Sequence, residues 1–258
     1  MASLGIEFVV RDAESRGPHL VLLHCLGVDH RFWDPLLPAL GQRFTVWRTD
    51  LPGHGTARPA PGPYGIADLS QQLAGVFKTF DIGRAHVAGI SLGGLIAQQF
   101  AADHPALVDR LVLIDTTPRY TDEMRAMWVK RAAAARTAGV PALVDDLLAI
   151  WFSPAAVSAN APGVAYVRRT LNACSGEGYA LACEALGAAD LRALAGRITA
   201  PTLVVCGDDD IPSFLDAARW LEASIKGARL AWIPGTRHAS VLEQPDVAGQ
   251  LIGDFLVA

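Results

Sequence analysis

Basic charge is not in excess in this chain. Lys and Arg number 22 against 26 Asp and Glu, a formal charge of -4 with a pI near 5.9. A field of that sign steers neither a phosphate backbone nor an anionic lipid surface to the protein, so neither nucleic acid nor membrane is an expected partner. Cysteine is scarce: Cys25, Cys174, Cys183 and Cys206 form no C-x-x-C spacing. That argues against a disulfide framework or a zinc cluster and for free thiols in a reducing compartment. No gapped Gly-rich phosphate loop, internal repeat or low-complexity tract is present, and no metal or other cofactor is implied. The opening residues "MASLGIEFVVRD" have neither a basic n-region nor an apolar h-region, so no secretory signal is expected and a cytoplasmic location is. From Ala85 to Ala102 no Asp, Glu, Lys or Arg occurs. That length touches the threshold for a membrane span, but His86, Ser91, Gln98, Gln99 and three glycines within it point to a buried strand and helix.

What the chain does have is length for a large core, 258 residues at 51% hydrophobic and 19% charged. Short, β-branched-rich apolar runs recur: "IEFVV" (6–10), "LVLLH" (20–24), "FTVWRTD" (44–50), "AHVAG" (85–89), "LVLID" (111–115), "TLVVCG" (202–207) and "RLAWIP" (229–234). Most are continuous rather than alternating, which is the pattern of strands covered on both faces. Helical patterns lie between them at Trp33–Leu40, Ile66–Phe80, Leu92–Asp103, Phe214–Ser224 and Pro245–Leu256. Strand and helix in alternation predict an α/β fold with a mostly parallel, doubly wound sheet. From Tyr120 to Leu194 strand-like runs give way to Ala-rich helical segments. Because this insertion follows a strand, it emerges at the carboxyl edge, where open α/β sheets bind ligands, and it reads as a lid. The expected organisation is a core of 1–119 and 195–258 with a helical cap of 120–194.

The chemistry-bearing stretch is "GISLG", Gly89 to Gly93, a G-x-S-x-G pattern between an apolar strand and an immediate helix. A backbone turning this tightly forces its neighbours together, so glycines must flank the serine. Ser91 then stands at the sheet's edge above the positive end of the following helix. A serine hydroxyl needs a base, and in a fold of this kind the partners follow in the order Ser, Asp, His. Only His104 and His238 come after Ser91. His104 ends the helix that Ser91 starts, roughly 20 Å away at 1.5 Å per residue. His238, in the loop "PGTRHAS", is left. The acid is expected at another strand end: Asp115, or one of Asp208, Asp209 and Asp210, which repel one another and so gain little as a purely structural loop. Spacing leaves these open. An oxyanion needs backbone donors, one from Leu92 and one from the turn "HCLG", where the third residue is Leu26.

Taken together, "HCLG", "DLPGHG", "GISLGG", "GDDD" and "TRHAS" resemble the α/β-hydrolase superfamily over nearly the whole chain. "LGVDHRFWDPLLPAL", "APGPYGIADL", the segments "AAARTAGVPALVDDLLAIWFSP" and "GEGYALACEALGAADLR", and "HASVLEQP" are similar to 3-oxoadipate enol-lactonases, which open a five-membered enol lactone in aromatic catabolism. The resemblance implies Ser91 as nucleophile, His238 as base and Asp210 as acid, the last because Gly207 to Asp210 matches the family's G-x-x-D stretch. It implies a serine hydrolase acting on a small lactone or ester, through an acyl-enzyme. Cys25 and Pro52 depart from residues common in relatives and bear on the choice of lactone. A small anionic lactone also needs an apolar wall, for which Trp33, Trp128 and Trp151 are candidates, and a cation, for which Arg119, Lys130 and Arg131 are. Competing expectations are another lactonase or carboxylesterase, such as one for N-acyl homoserine lactones, and a small-molecule receptor on the same fold. Dehalogenase or epoxide hydrolase chemistry needs an aspartate in place of Ser91. The sequence gives no reading of oligomeric state.

Overall fold

Seven strands form one sheet in the order β1-β3-β2-β4-β5-β6-β7 in the computed structural model, which describes residues 8–11 and 17–258. In chain order the elements are β1 (Phe8–Arg11), β2 (His19–Leu23), α1 (Leu37–Leu40), β3 (Thr45–Asp50), α2 (Ile66–Thr79), β4 (Ala85–Ile90), α3 (Leu92–Asp103) and β5 (Val108–Ile114). Then follow α4 (Asp122–Thr137), α5 (Val144–Trp151), α6 (Pro154–Ser158), α7 (Pro162–Ala173) and α8 (Gly176–Ala188). The chain closes with β6 (Thr202–Gly207), α9 (Pro212–Ser224), β7 (Arg229–Ile233), α10 (Ser240–Glu243) and α11 (Pro245–Val257). β1 is antiparallel to β3 and the five other pairings are parallel. Ile6 and Glu7 of the predicted first strand lie outside the described residues.

Every residue of β3, β4 and β6 is buried, β4 and β6 as their apolar runs require and β3 with Asp50 accepting from the His30 and Thr56 amides. A fully buried Val or Leu in such a strand contributes about 1.5–3 kcal/mol relative to its exposed state. β7, at the edge, is buried only at Ile233. The uncharged stretch 85–102 is β4 and α3, and α3 is buried from Leu92 to Ala102 except at Gln99. Among the described residues no helix is long and apolar enough to cross a membrane. The helix predicted over Trp33–Leu40 is broken in two. A 3-10 turn runs from His30 to Leu36 and α1 follows, because Pro35 and Pro38 cannot donate the amide hydrogens a continuous helix needs.

Parallel registers bring the strand ends together. Leu23 of β2 sits beside Gly89, Ile90 beside Ile114, Ile114 beside Val205, and Gly207 beside Ile233. The turns after β2, β4, β5, β6 and β7 therefore share one rim. Between β5 and β6 the chain leaves this rim for five helices, α4 to α8. Thr121 caps α4 by accepting from the Met124 amide, with Asp122 and Glu123 in the first turn to favour the helix dipole. These helices contact the rim closely. A Cβ on Gly53, in the turn after β3, would lie 2.5 Å from the Gly178 Cα of α8. The Ala239 amide donates to the carbonyl of Trp151 at the end of α5.

Candidate active site

The turn at Ser91 is as tight as the glycine pattern requires. Ser91 has φ 52° and ψ -113°, a left-handed φ uncommon for a residue with a side chain. Its amide donates to the Ile114 carbonyl, and its own carbonyl accepts from the Thr116 hydroxyl at 2.8 Å. Two neighbours leave no room for a side chain. A Cβ on Gly89 would meet the Gly93 carbonyl oxygen at 2.2 Å, and a Cβ on Gly93 would meet that of Leu23 at 2.2 Å. The strain is held by the β2, β4 and α3 backbones pressing on one another.

Three side chains from distant parts of the sequence meet here. The imidazole of His238 lies with Nε2 3.1 Å from Ser91 Oγ and Nδ1 2.9 Å from Asp210 Oδ2. A carboxylate on Nδ1 fixes the proton there, which leaves the Nε2 lone pair to accept from the Ser91 hydroxyl. The other Asp210 oxygen accepts from the Ile211 amide at 2.7 Å. Ser91, His238 and Asp210 are 6%, 5% and 4% exposed, so the chain of hydrogen bonds is largely shielded from bulk water. Burial alone drives the His238 imidazole toward its neutral form. The Asp210 charge, its hydrogen bond and the Asp115 charge outweigh that and hold its pKa above the ordinary value.

The three consecutive aspartates have separate tasks. Asp208 accepts from the Gly235 amide at 2.6 Å, Asp209 pairs with Arg237 at 3.1 Å, and only Asp210 reaches the imidazole. Asp115, the other acid considered, is fully buried behind them. Its oxygens accept from the Gly207 amide at 2.9 Å and from the Ser240 hydroxyl at 2.6 Å, tying the ends of β5 and β6 to the segment after His238. Burial, and then the Asp210 charge, push its carboxyl well above the usual carboxylate range. Asp115, Cys206 and Asp210 present ligand atoms within 4.8 Å of one another. The oxygens of both carboxylates are already engaged by protein donors and the Cys206 thiol donates to the Gly207 carbonyl, so the set works as hydrogen-bonded support rather than as an open metal cradle. All four cysteines are free.

Leu92 heads α3, where its amide has no intrahelical acceptor, and Leu26 lies in the turn after β2. The β2–β4 register sets the two turns side by side. His24, which begins that turn, is an anchor the sequence did not announce. Its Nδ1–H donates to the Cys25 carbonyl at 2.7 Å and its Nε2 accepts from the Leu51 amide at 3.0 Å. Burial lowers its pKa, as a neutral ring with one donor and one acceptor demands.

The expected wall divides. The Trp151 ring lies 6.1 Å from that of His238. Trp128 stands one layer back, edge-on to Tyr120 at 5.2 Å. Trp33 instead packs edge-on against Phe32 at 5.4 Å, fully buried in the core beside the 3-10 turn, with no ring contact to the triad. Phe214, which carries no signal in the sequence, is closer at 4.3 Å from the His238 ring, and Tyr120 packs on Phe214 at 6.2 Å. The three candidate cations differ in their surroundings. Arg119 is tied to Asp122 at 2.6 Å and Asp190 at 3.6 Å. Lys130 is exposed on α4. Arg131 is half-buried, its guanidinium 4.8 Å from the Trp128 ring and donating to Met127 Sδ at 3.4 Å, and it meets no carboxylate among the described residues. It lies close enough to act on His238, Tyr120 and Tyr179. A separate cavity of about 600 Å³ adjoins the same loop, bordered by Phe152, Tyr166, Thr236 and Leu242, and no triad residue lines it.

Strained serine, imidazole and carboxylate on a mostly parallel sheet define a hydrolase-type fold, and comparison with known proteins agrees. The family model described as alpha/beta hydrolase fold matches residues 18–245, and the chain belongs to that family. It is 28% identical over 228 residues to 3-oxoadipate enol-lactonase 2 of Acinetobacter baylyi, covering 88% of this chain and 84% of that one. It is 34% identical over 235 residues to a pimeloyl-[acyl-carrier protein] methyl ester esterase of Chromobacterium violaceum, covering 88% and 89%. The crystal structure of the enol-lactonase from Burkholderia xenovorans LB400 superposes with a TM-score of 0.92 at 35% identity, covering 97% of this chain and 95% of that one.

Proposed function

We propose that this protein is a serine hydrolase that opens a small, carboxylate-bearing lactone of the 3-oxoadipate enol-lactone type. The observation that carries the reading is the unbroken hydrogen-bond chain from Ser91 through His238 to Asp210 at 3.1 and 2.9 Å. Ser91 Oγ attacks the ring carbonyl carbon as His238 Nε2 takes its proton, and Asp210 stabilises the imidazolium. The Leu26 and Leu92 amides donate to the oxyanion. The ring C–O bond then breaks, its electron pair stays on the enol oxygen, and His238 returns the proton there. The enol collapses to a ketone, which makes the step effectively one-way. Water activated by the same imidazole releases the acid. Residues 120–194 form the cap over a core made of the described residues up to 119 and of 195–258, and supply Trp128, Trp151 and Arg131 to the site.

Arg131 supports an anionic substrate, because a partly buried cation without a carboxylate partner is best satisfied by one from a ligand. The names of relatives support both lactone and methyl ester hydrolysis. The test is kcat/KM on 3-oxoadipate enol-lactone, an N-acyl homoserine lactone, a methyl ester of a dicarboxylic acid and p-nitrophenyl acetate. The highest value is expected on the enol lactone. Preference for the methyl ester overturns the lactone assignment while keeping the hydrolase, and binding without turnover of any of them overturns both.

A further inference from the structure

Tyr120 precedes Thr121, the N-cap of α4, and is 2% exposed, yet its hydroxyl has no hydrogen-bond partner. A buried hydroxyl normally finds one, since stripping it of water without replacement is costly. Its surroundings say what it awaits. Five groups stand in series: the Arg131 guanidinium 4.8 Å from the Trp128 ring, Trp128 5.2 Å from Tyr120, Tyr120 6.2 Å from Phe214, and Phe214 4.3 Å from His238. Tyr120 is therefore connected through ring contacts to both the base and the cation. The Ser91 side chain is close enough to act on the phenol without forming a bond of good geometry with it. The ring packs edge-on against both Trp128 and Phe214, which hold it in place.

We infer that Tyr120 is a further catalytic residue, whose hydroxyl donates a hydrogen bond to the leaving oxygen of the bound lactone or ester. The inference rests on the serine hydrolase reading above. In an enol lactone whose carboxylate arm is carried on the enol carbon, the ring oxygen lies between the carbonyl carbon and that arm. With the carbonyl over Ser91 and the carboxylate at Arg131, the ring oxygen falls between them, and the Tyr120 hydroxyl near Ser91 is an unpaired donor for it. As the acyl C–O bond breaks, the electron pair moves onto this oxygen. His238 delivers the proton taken from Ser91, while Tyr120 donates a hydrogen bond and keeps its own proton. Burial pushes the Tyr120 phenol well above its ordinary value, which keeps it a donor throughout.

The test is Tyr120→Phe, which removes only an oxygen that bonds nothing in the free protein, measured on esters of one acid with leaving groups from nitrophenol to simple alcohols. A donor at the leaving oxygen matters most where that oxygen becomes most basic. We expect kcat/KM to fall about 10–100-fold on alkyl esters and on the enol lactone, with a loss about tenfold smaller on the nitrophenyl ester. Tm is expected to stay level or rise, because a buried unpaired hydroxyl is lost. Tyr120→Leu, which loses the ring as well, must keep the same leaving-group contrast whatever its Tm. Equal losses across the series, or a fall in Tm with a uniform loss, overturn the inference and leave the hydrolase reading standing. A wild type that turns over none of these esters and lactones overturns both.

Discussion

Replacing Asp210 by Asn tests the electrostatic core of the site without changing its shape. Asn is nearly isosteric, so the 2.9 Å contact to His238 Nδ1 is kept. Its chemistry is reversed. An amide nitrogen at that position donates to Nδ1, which moves the imidazole proton to Nε2, facing the Ser91 oxygen 3.1 Å away. The base then presents a hydrogen where it needs a lone pair. In serine triads this error costs about 10⁴ in kcat, or about 5.4 kcal/mol at 1.36 kcal/mol per decade. A second effect accompanies it. The Asp210 charge and hydrogen bond hold the His238 pKa up against burial, so their loss lets burial dominate and lowers it. Activity needs the neutral ring, so the acid limb of the kcat/KM profile moves to lower pH while the plateau drops. The assay is a pH profile of wild type and Asp210→Asn on p-nitrophenyl acetate. An Asp210→Asn enzyme within tenfold of wild type refutes the reasoning and transfers the acid's role to Asp115.

Further outcomes follow from the same contacts. Gly93→Ala drives a Cβ to 2.2 Å from the Leu23 carbonyl, and because that partner is backbone, a loss of about 1–3 kcal/mol or more in stability is expected by thermal melting, with esterase activity lost alongside. Arg131→Gln is expected to raise KM about 10–100-fold for the anionic lactone and to leave a neutral ester of similar size far less affected, the signature of a lost charge-assisted contact. His54 is fully buried, and burial lowers its pKa to about 4. A base with a depressed folded pKa contributes stability above its unfolded pKa of 6.5 and loses it as pH falls through the folded value. That loss is on the order of 3 kcal/mol between these limits, and denaturant melts of His54→Asn are expected to show a flatter stability profile over the same window.

Much of this architecture was legible in the sequence because it is carried by local pattern. Continuous apolar runs gave β2 to β7, and "GISLG" between such a run and a helix gave the strained serine. Chain order selected His238 over His104 without knowledge of any contact. The limits are equally local. Asp208, Asp209 and Asp210 are chemically alike and adjacent, so only the path of the loop, which sends each carboxylate to a different partner, separates them. Phe214 and Tyr120 read as ordinary core aromatics because a sequence does not show which ring faces an imidazole. Arg119 and Arg131 are equally basic on paper. The docking of α4 lays Arg131 half-buried on the Trp128 ring, while Asp122 and Asp190 hold Arg119. Trp33 is a wall candidate by residue type alone, and the Pro-broken 3-10 turn packs it on Phe32 in the core.

The central claim is that Ser91 is a nucleophile made reactive by His238. Labelling with a fluorophosphonate, followed by peptide mapping, measures it directly. The account predicts a single adduct on Ser91, loss of turnover in step with labelling, and an adduct rate that collapses in His238→Ala. Labelling elsewhere with Ser91 unmodified, or full turnover by Ser91→Ala, contradicts it.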